Sequence, residues 1–451
     1  MTAVPVILSL IVYIPFNSFL PYDGEQAGKG TAAISVGCVT AGNTALDASG
    51  NMQIIFSVID ETGTVLWYDS LYRGNSSEIL GVSETGSGPV LTGSSSNPST
   101  SEDALALAMD GQMQPVWTFS LDLPLQERFT SAAGSEGITL CAGSTNSIGA
   151  GGNDVLMVAV DQNGGELWRK TYGTTGEEAV YHVSLCSDGG YVMACQAMDW
   201  GAGNGDYWII RTDSSGDTLW TGTYGGPEFD YPWRVIQSGD DFFVAGNTLS
   251  FGQGSYDWWI LKLDADGNVL WERIWGEENT DTCMALAETP WGILVGGASE
   301  QGLNNILATA VLLDDSGEVA AEWFFQPGMI RSLSITGDGH CLIGGTVFSP
   351  DGNLWAMCVD SNGYAPELGI EPEADHGPMI HLYSNPAREY LRINLAGGSG
   401  QVTVRDLTGR TVLETEMENG EASLLIGELP PGVYSVSAGG DTKTASFTVL
   451  D

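Results

Sequence analysis

Four carboxylates stand at one register of the chain. Glu127, Glu178, Asp230 and Asp281 each lie ten positions after a tryptophan (Trp117, Trp168, Trp220 and Trp271), and two further copies of the pattern carry Ser77 and Leu333 there. No basic residue occupies this register. Acidic side chains arranged around one mouth of a channel could hold a hydrated divalent cation such as Ca²⁺, because hard cations take several carboxylate oxygens together with water. Unneutralised, neighbouring charges ~8 Å apart would repel by roughly 2 kcal/mol at an effective dielectric of about 20. The competing role is local, each carboxylate accepting hydrogen bonds from backbone N–H groups of its own turn. Beyond that Ca²⁺, no cofactor is expected.

The rest of the inventory gives no catalytic residue. The histidines are His182, His340, His376 and His381, none with an evident nucleophile or metal-ligand spacing. A sialidase-like site would need arginines clustered at the axis, yet Arg73, Arg128, Arg169, Arg211, Arg234, Arg273 and Arg331 share no single strand position, and Arg211 and Arg273 read as strand residues snorkelling to solvent. Asp264 to Asn268 superficially matches a calcium loop but has Val269 where the loop needs glycine. The glycine-rich segments ending at Asp154, Asp206 and Asp257 precede no helix and read as connections. The seven cysteines read as small buried hydrophobes. This balance is against an enzyme, though a secreted hydrolase of polysaccharide or another extracellular polymer remains the rival function.

These residues are positioned by a repeat. The turn aspartates Asp60, Asp110, Asp161, Asp213, Asp264, Asp314 and Asp360 recur about every fifty residues, and Trp67, Trp117, Trp168, Trp220, Trp271 and, displaced, Trp323 follow them. The fifth copy divides into four apolar runs: Tyr231 to Ser238, Asp241 to Asn247, Tyr256 to Asp264 and Val269 to Gly276. In the third run Leu156, Val158 and Val160 share one face and Val155 and Met157 the other, so this strand is covered on both sides. Small residues close the second run (Gly42, Gly93, Gly143, Gly246, Gly297 and Gly345, with Gln196 the exception), which predicts close backbone approach. The expected fold is all-β: a seven-bladed β-propeller over 22–363 followed by a small Ig-like sandwich. The tryptophans are expected to be packing devices between sheets.

Residues 1–21 are an apolar segment, either a degenerate signal peptide or the source of a closing strand from Phe16 to Gly24. An acidic Pro/Gly linker occupies 364–379, and short alternating runs over 380–451 predict the sandwich. No run is long and apolar enough to span a membrane as a helix. With 57 acidic against 15 basic residues and a net charge of -42, the surface repels nucleic acid.

The last seventy residues resemble the sorting domain of the type IX secretion system. The likeness rests on Leu382-Tyr383-Ser384-Asn385-Pro386-Ala387, on Asp406-Leu407-Thr408-Gly409-Arg410, and on Leu429-Pro430-Pro431-Gly432-Val433-Tyr434. The residues that carry the motif are Asn385, Pro386, Asp406, Gly409, Arg410, Gly432 and Tyr434. The resemblance implies the secretion machinery as a partner and a secreted or outer-membrane-anchored protein of a Bacteroidetes-like bacterium. The repeat is similar to uncharacterised propeller repeats that precede such domains, and to the tryptophan-docking repeats of quinoprotein-like propellers, although it lacks the adjacent cysteines of a quinone-dependent dehydrogenase. The expected function is a monomeric, non-enzymatic binding module for an extracellular glycan or protein.

Overall fold

The computed structural model describes residues 76–96, 102–110, 115–135, 137–198, 200–301 and 305–335, and elsewhere chiefly the strands named below. Two compact units emerge, one comprising Met1–Ile14 and Gly24–Pro366, the other Pro15–Asp23 and Glu367–Asp451.

In the first unit four antiparallel strands make one sheet, and the fifth sheet shows the plan. Its strands a to d are Asp230–Ser238, Asp241–Thr248, Asp257–Leu263 and Val269–Trp275, paired in that order. The first four sheets begin with a strands Ala27–Ile34, Ser76–Thr85, Glu127–Ser135 and Glu178–Leu185. The sixth begins at Asp281–Thr289 and ends in Val319–Ile335, a strand of 17 residues. The first half of that strand pairs with Ile306–Leu313, and its second half pairs with Cys341–Val347 as the a strand of the next sheet. The usual turn is missing here, so two sheets fuse into one of seven strands. Their last member is Val12–Ile14, antiparallel to Asn353–Val359. The closing strand therefore comes from the N-terminal segment, but from Val12–Ile14; Phe16 to Gly24 lies outside the described residues. Each a strand packs against the a strand of the next sheet, and Ala27–Ile34 packs against Val319–Ile335. This propeller-like succession returns on itself.

Strand c is apolar on both faces because a sheet covers each of them. Leu156, Val158 and Val160 pack toward the second sheet with Ala104 and Phe119, whereas Val155 and Met157 pack toward the fourth with Met193 and Trp208. Glycine on strand b has a comparable cause. A Cβ on Gly93, Gly143, Gly246 or Gly297 would collide with the carbonyl of Glu78, Arg128, Tyr231 or Thr282 on strand a. In the fourth sheet this place falls to Cys195, not Gln196, because Cys195 pairs with Trp208 as Gly246 pairs with Trp259.

The tryptophans dock from sheet to sheet. A Cβ on the turn glycines Gly216, Gly267 or Gly317 would meet the rings of Trp168, Trp220 or Trp271 of the preceding sheet. All three glycines have positive φ, near +80°. Trp220 Nε1 also donates to Ala265 O at 2.8 Å, and Trp271 Nε1 to Asp315 O at 3.3 Å. In the same turns one oxygen each of Asp161, Asp213, Asp264 and Asp314 accepts the N–H groups two and four residues on. These bonds fold the turn around the carboxylate, an Asx arrangement. They hold the carboxyls below their usual range, chiefly through backbone donors at Asp161 and Asp213 and through the side chains of Asn268 and Ser316 at Asp264 and Asp314.

The second unit is a pair of sheets, one of Ile380–Tyr383, Tyr390–Leu395 and Glu421–Leu425, the other of Thr411–Met417, Gly400–Arg405, Gly432–Ala438 and Lys443–Val449. Tyr434 is buried and its hydroxyl donates to Pro430 O at 2.7 Å, which fastens the turn before its strand. Among the other motif residues Gly432 opens that strand and Arg410 is exposed, while Asn385, Pro386, Asp406 and Gly409 lie outside the described residues.

Candidate functional site

Every a strand of the first unit carries a β-bulge at the same register. The pairing skips one residue between Gly28 and Gly30, Ile79 and Gly81, Phe129 and Ser131, Val180 and His182, Pro232 and Arg234, Cys283 and Ala285, and Ile330 and Ser332. A bulge leaves its extra residue out of the ladder and re-aims the side chain. From the second sheet on, the residues so displaced are Leu80, Thr130, Tyr181, Trp233, Met284 and Arg331. All six line one cavity of about 310 Å³ at the centre of the a strands, and Arg128 and Arg234 join them. Thr130 and Arg234 also line an adjoining cavity of about 390 Å³ with His182, so the two are consecutive stretches of one channel.

Tyr181 and Trp233 meet edge to face at 4.9 Å in this channel. Tyr181 Oη donates to Gln196 Oε1 at 3.1 Å, whereas the buried indole N–H of Trp233 has no acceptor among the described residues. The guanidinium of Arg234 donates to Trp233 O at 3.1 Å and Arg331 O at 3.4 Å. That of Arg331 reaches Met284 Sδ at 3.3 Å, and its buried Nε has no acceptor among the described residues. Neither makes an ion pair among the described residues. Burial lowers both from the usual arginine value, and Arg234, at about 10, stays charged at neutral pH. His182 is pushed down to about 3 by desolvation, then by Arg234, while its Nδ1 lies 3.0 Å from Val235 O; it is neutral at physiological pH.

The arginines thus depart from the sequence expectation. Arg128, Arg234 and Arg331 occupy different registers yet line one cavity, because the bulge moves residues across the strand face. Arg211 does not snorkel freely: it is buried and makes a two-pronged ion pair with Asp188 at 2.6 Å. Arg273 binds Glu318 of the next sheet at 3.0 Å. The bulge position gives no sequence signal of residue type, being aliphatic, hydroxylic, aromatic, thioether or cationic in turn. Only its fixed place three residues after Glu127, Glu178, Asp230 or Asp281 could have revealed it.

The four register carboxylates open strands Glu127–Ser135, Glu178–Leu185, Asp230–Ser238 and Asp281–Thr289, and all are buried. They do not gather at one point, and among the described residues no three His, Cys, Asp or Glu side chains do. Each sits in a different sheet and binds locally: Glu127 to Thr145 Oγ1 at 3.0 Å, Glu178 to Thr174 N at 3.1 Å and Trp200 Nε1 at 3.0 Å, Asp230 to Gly226 N at 2.8 Å, and Asp281 to Glu277 N at 2.9 Å. The seventh place of the register is Gly328, which pairs with Val347 as Asp230 pairs with Thr248. Counting from Trp323 reaches Leu333 instead, because Ala321 and not Trp323 holds the place of Trp271, and because the turn that separates the other copies is absent. Cys141, Cys186, Cys195, Cys283 and Cys341 are buried free thiols.

Residues 381–449 match the secretion system C-terminal sorting domain family. The chain therefore carries the sorting tail of a secreted or cell-surface protein. Among solved structures it is similar to the WD40 β-propeller domain of Doa1, at 12% identity over 76% of this chain and 97% of that one, with a TM-score of 0.47. A protein of unknown function from Bacteroides caccae aligns at 14% identity over 61% of this chain and 90% of its own, TM-score 0.39. Sqt1 from Chaetomium thermophilum aligns at 12% identity over 72% and 80%, TM-score 0.42. No protein of curated function matches the sequence.

Proposed function

We propose that the protein is an exported, non-enzymatic binding module, a closed seven-bladed ring whose channel takes an acidic saccharide. The observation that carries this is the pairing of Arg234 and Arg331, which have no carboxylate partner among the described residues, with the unfilled N–H donors of Arg331 and Trp233. Buried donors normally have acceptors, and those left open at a cavity wall suit an anionic group arriving from outside. Tyr181 and Trp233 add aromatic faces and edges against which the apolar side of a sugar ring can lie. In a chain with only 15 basic residues against 57 acidic, three arginines around one cavity are a local reversal of charge. The sorting tail delivers this module to the secretion machinery and thence to the outside of a Bacteroidetes-like cell, where it acts as a monomer.

The test is a glycan array probed with the full chain, followed by calorimetry. Uronate-bearing saccharides are expected to bind, and Arg331→Gln or Arg234→Gln to weaken binding by about 10- to 100-fold, the loss of one charge-assisted contact. Equal binding of neutral glycans, or unchanged affinity in both variants, overturns the acidic-ligand reading. Turnover of the bound saccharide would put a hydrolase in its place.

A further inference from the structure

A second set of acidic residues pairs with the first across each boundary between sheets. Asp206 opens strand c of the fourth sheet and Asp230 opens strand a of the fifth; Asp257 and Asp281 stand the same way between the fifth and sixth. A backbone bond fixes each pair, Asp230 N donating to Gly205 O at 2.8 Å and Asp281 N to Tyr256 O at 2.7 Å. All four carboxylates are at most 1% exposed. In each, Oδ2 is taken up by backbone N–H groups of its own loop, from Ala202, Gly203, Gly226, Gln253, Gly254 and Glu277. In each, Oδ1 is buried without a hydrogen-bond partner among the described residues. Two like charges held together in the interior, each with an oxygen left bare, are unfavourable unless something positive lies between them.

The glycines beside the pairs show where that would be. A Cβ on Gly276 would land against Asp257 Oδ1 and Asp281 Oδ2, and one on Gly225 against Asp206 Oδ1. Between the fifth and sixth sheets both carboxylates thus reach the space that a side chain at Gly276 would fill, and between the fourth and fifth Asp206 reaches the matching space at Gly225. We propose that Asp206 with Asp230, and Asp257 with Asp281, each hold one hard divalent cation of the Ca²⁺ type, clamping neighbouring sheets together. Two carboxylates supply the charge, and backbone carbonyls and water complete the oxygen shell that such an ion takes.

The pair Asp154 and Glu178 is the internal contrast. Glu178 stands at the same register, but its longer side chain accepts from Thr174 N, Thr174 Oγ1 and the Trp200 indole, and neither carboxylate is left with a buried bare oxygen. A Cβ on Gly173 would likewise meet Asp154 Oδ1 and Glu178 Oε2, but at this boundary the protein itself supplies the donors to Glu178. Burial raises the carboxyls of Asp206 and Asp257, and their partners raise them further, so the rival arrangement is a proton shared within each pair.

Full-length protein treated with chelator and then titrated with CaCl₂, by calorimetry and by thermal unfolding, separates the two. Expected is binding that raises the melting temperature, with one ion lost for Asp257→Asn plus Asp281→Asn, one for Asp206→Asn plus Asp230→Asn, and none for Asp154→Asn plus Glu178→Gln. The conservative Asn variants keep the shape, and Gly225→Ala, which sets a methyl against Asp206 Oδ1 without altering any ligand side chain, is a second probe expected to remove the same ion as the Asp206 and Asp230 changes. Absence of a calcium response in the wild type, or a response that the four Asp→Asn changes leave intact, overturns the proposal. In that case the metal-free protein should instead gain stability as pH falls from neutral, because a carboxyl raised in the folded state binds its proton there first.

Discussion

The outer rim and the channel wall of the repeat unit are built on opposite rules. At the rim the same residue types return in sheet after sheet: an aspartate that folds the turn, a glycine with positive φ, and a tryptophan laid on the glycine of the next turn. At the wall only the backbone repeats. Each a strand has its bulge at one register, but the side chain it aims inward changes from leucine to threonine, tyrosine, tryptophan, methionine and arginine. Residues that repeat are fixed by packing between sheets, which is the same problem at every boundary. Residues that vary at a repeated place are free of that problem and available for recognition.

The largest test of this division is at the rim. Trp220→Ala removes a partly buried indole and its bond to Ala265 O, and should cost about 3 kcal/mol in chemical unfolding while leaving saccharide affinity unchanged for the folded fraction. A large loss of affinity would show that rim and wall are not separable. Gly267→Ala places a methyl against Trp220 in a backbone with φ of +84°, and should cost about 1 to 2 kcal/mol, again without effect on binding.

At the wall the expected stability effects are smaller and appear in pH dependence. His182 is neutral in the folded protein and takes a proton once unfolded, so its contribution is intact above about pH 6.5 and is lost as pH falls toward its folded value of about 3. His182 lines the channel, where solvent screening discounts the shift, so about 1 kcal/mol should be lost by pH 5. His182→Gln should remove that part of the acid sensitivity, and an unchanged pH profile would show that His182 is solvated as in the unfolded chain.

The same contrast explains what could be read from the sequence. Strand runs of the fifth copy match the observed strands to within a residue or so, because alternating apolar faces and D-x-x-G turns are local signals. The channel was not legible. A bulge inserts one residue, so Arg331 and Trp233 reach the cavity from places that strict alternation assigns elsewhere, and Arg234 joins them from a neighbouring register. The partner aspartates Asp206 and Asp257 were visible at the repeat's own spacing, but as the ends of glycine-rich loops; that they face Asp230 and Asp281 depends on contact between sheets some twenty-four residues apart in sequence. The register itself slipped in the last copy, where Val319–Ile335 runs through without the turn that set the count.

The place a ligand takes tests the channel wall most directly. A crystal structure of the full chain with the strongest-binding acidic saccharide should place the sugar carboxylate within hydrogen-bond distance of Arg331 and the Trp233 indole N–H, with its ring against Tyr181. A ligand found at the rim turns, with the channel arginines untouched, would contradict that placement.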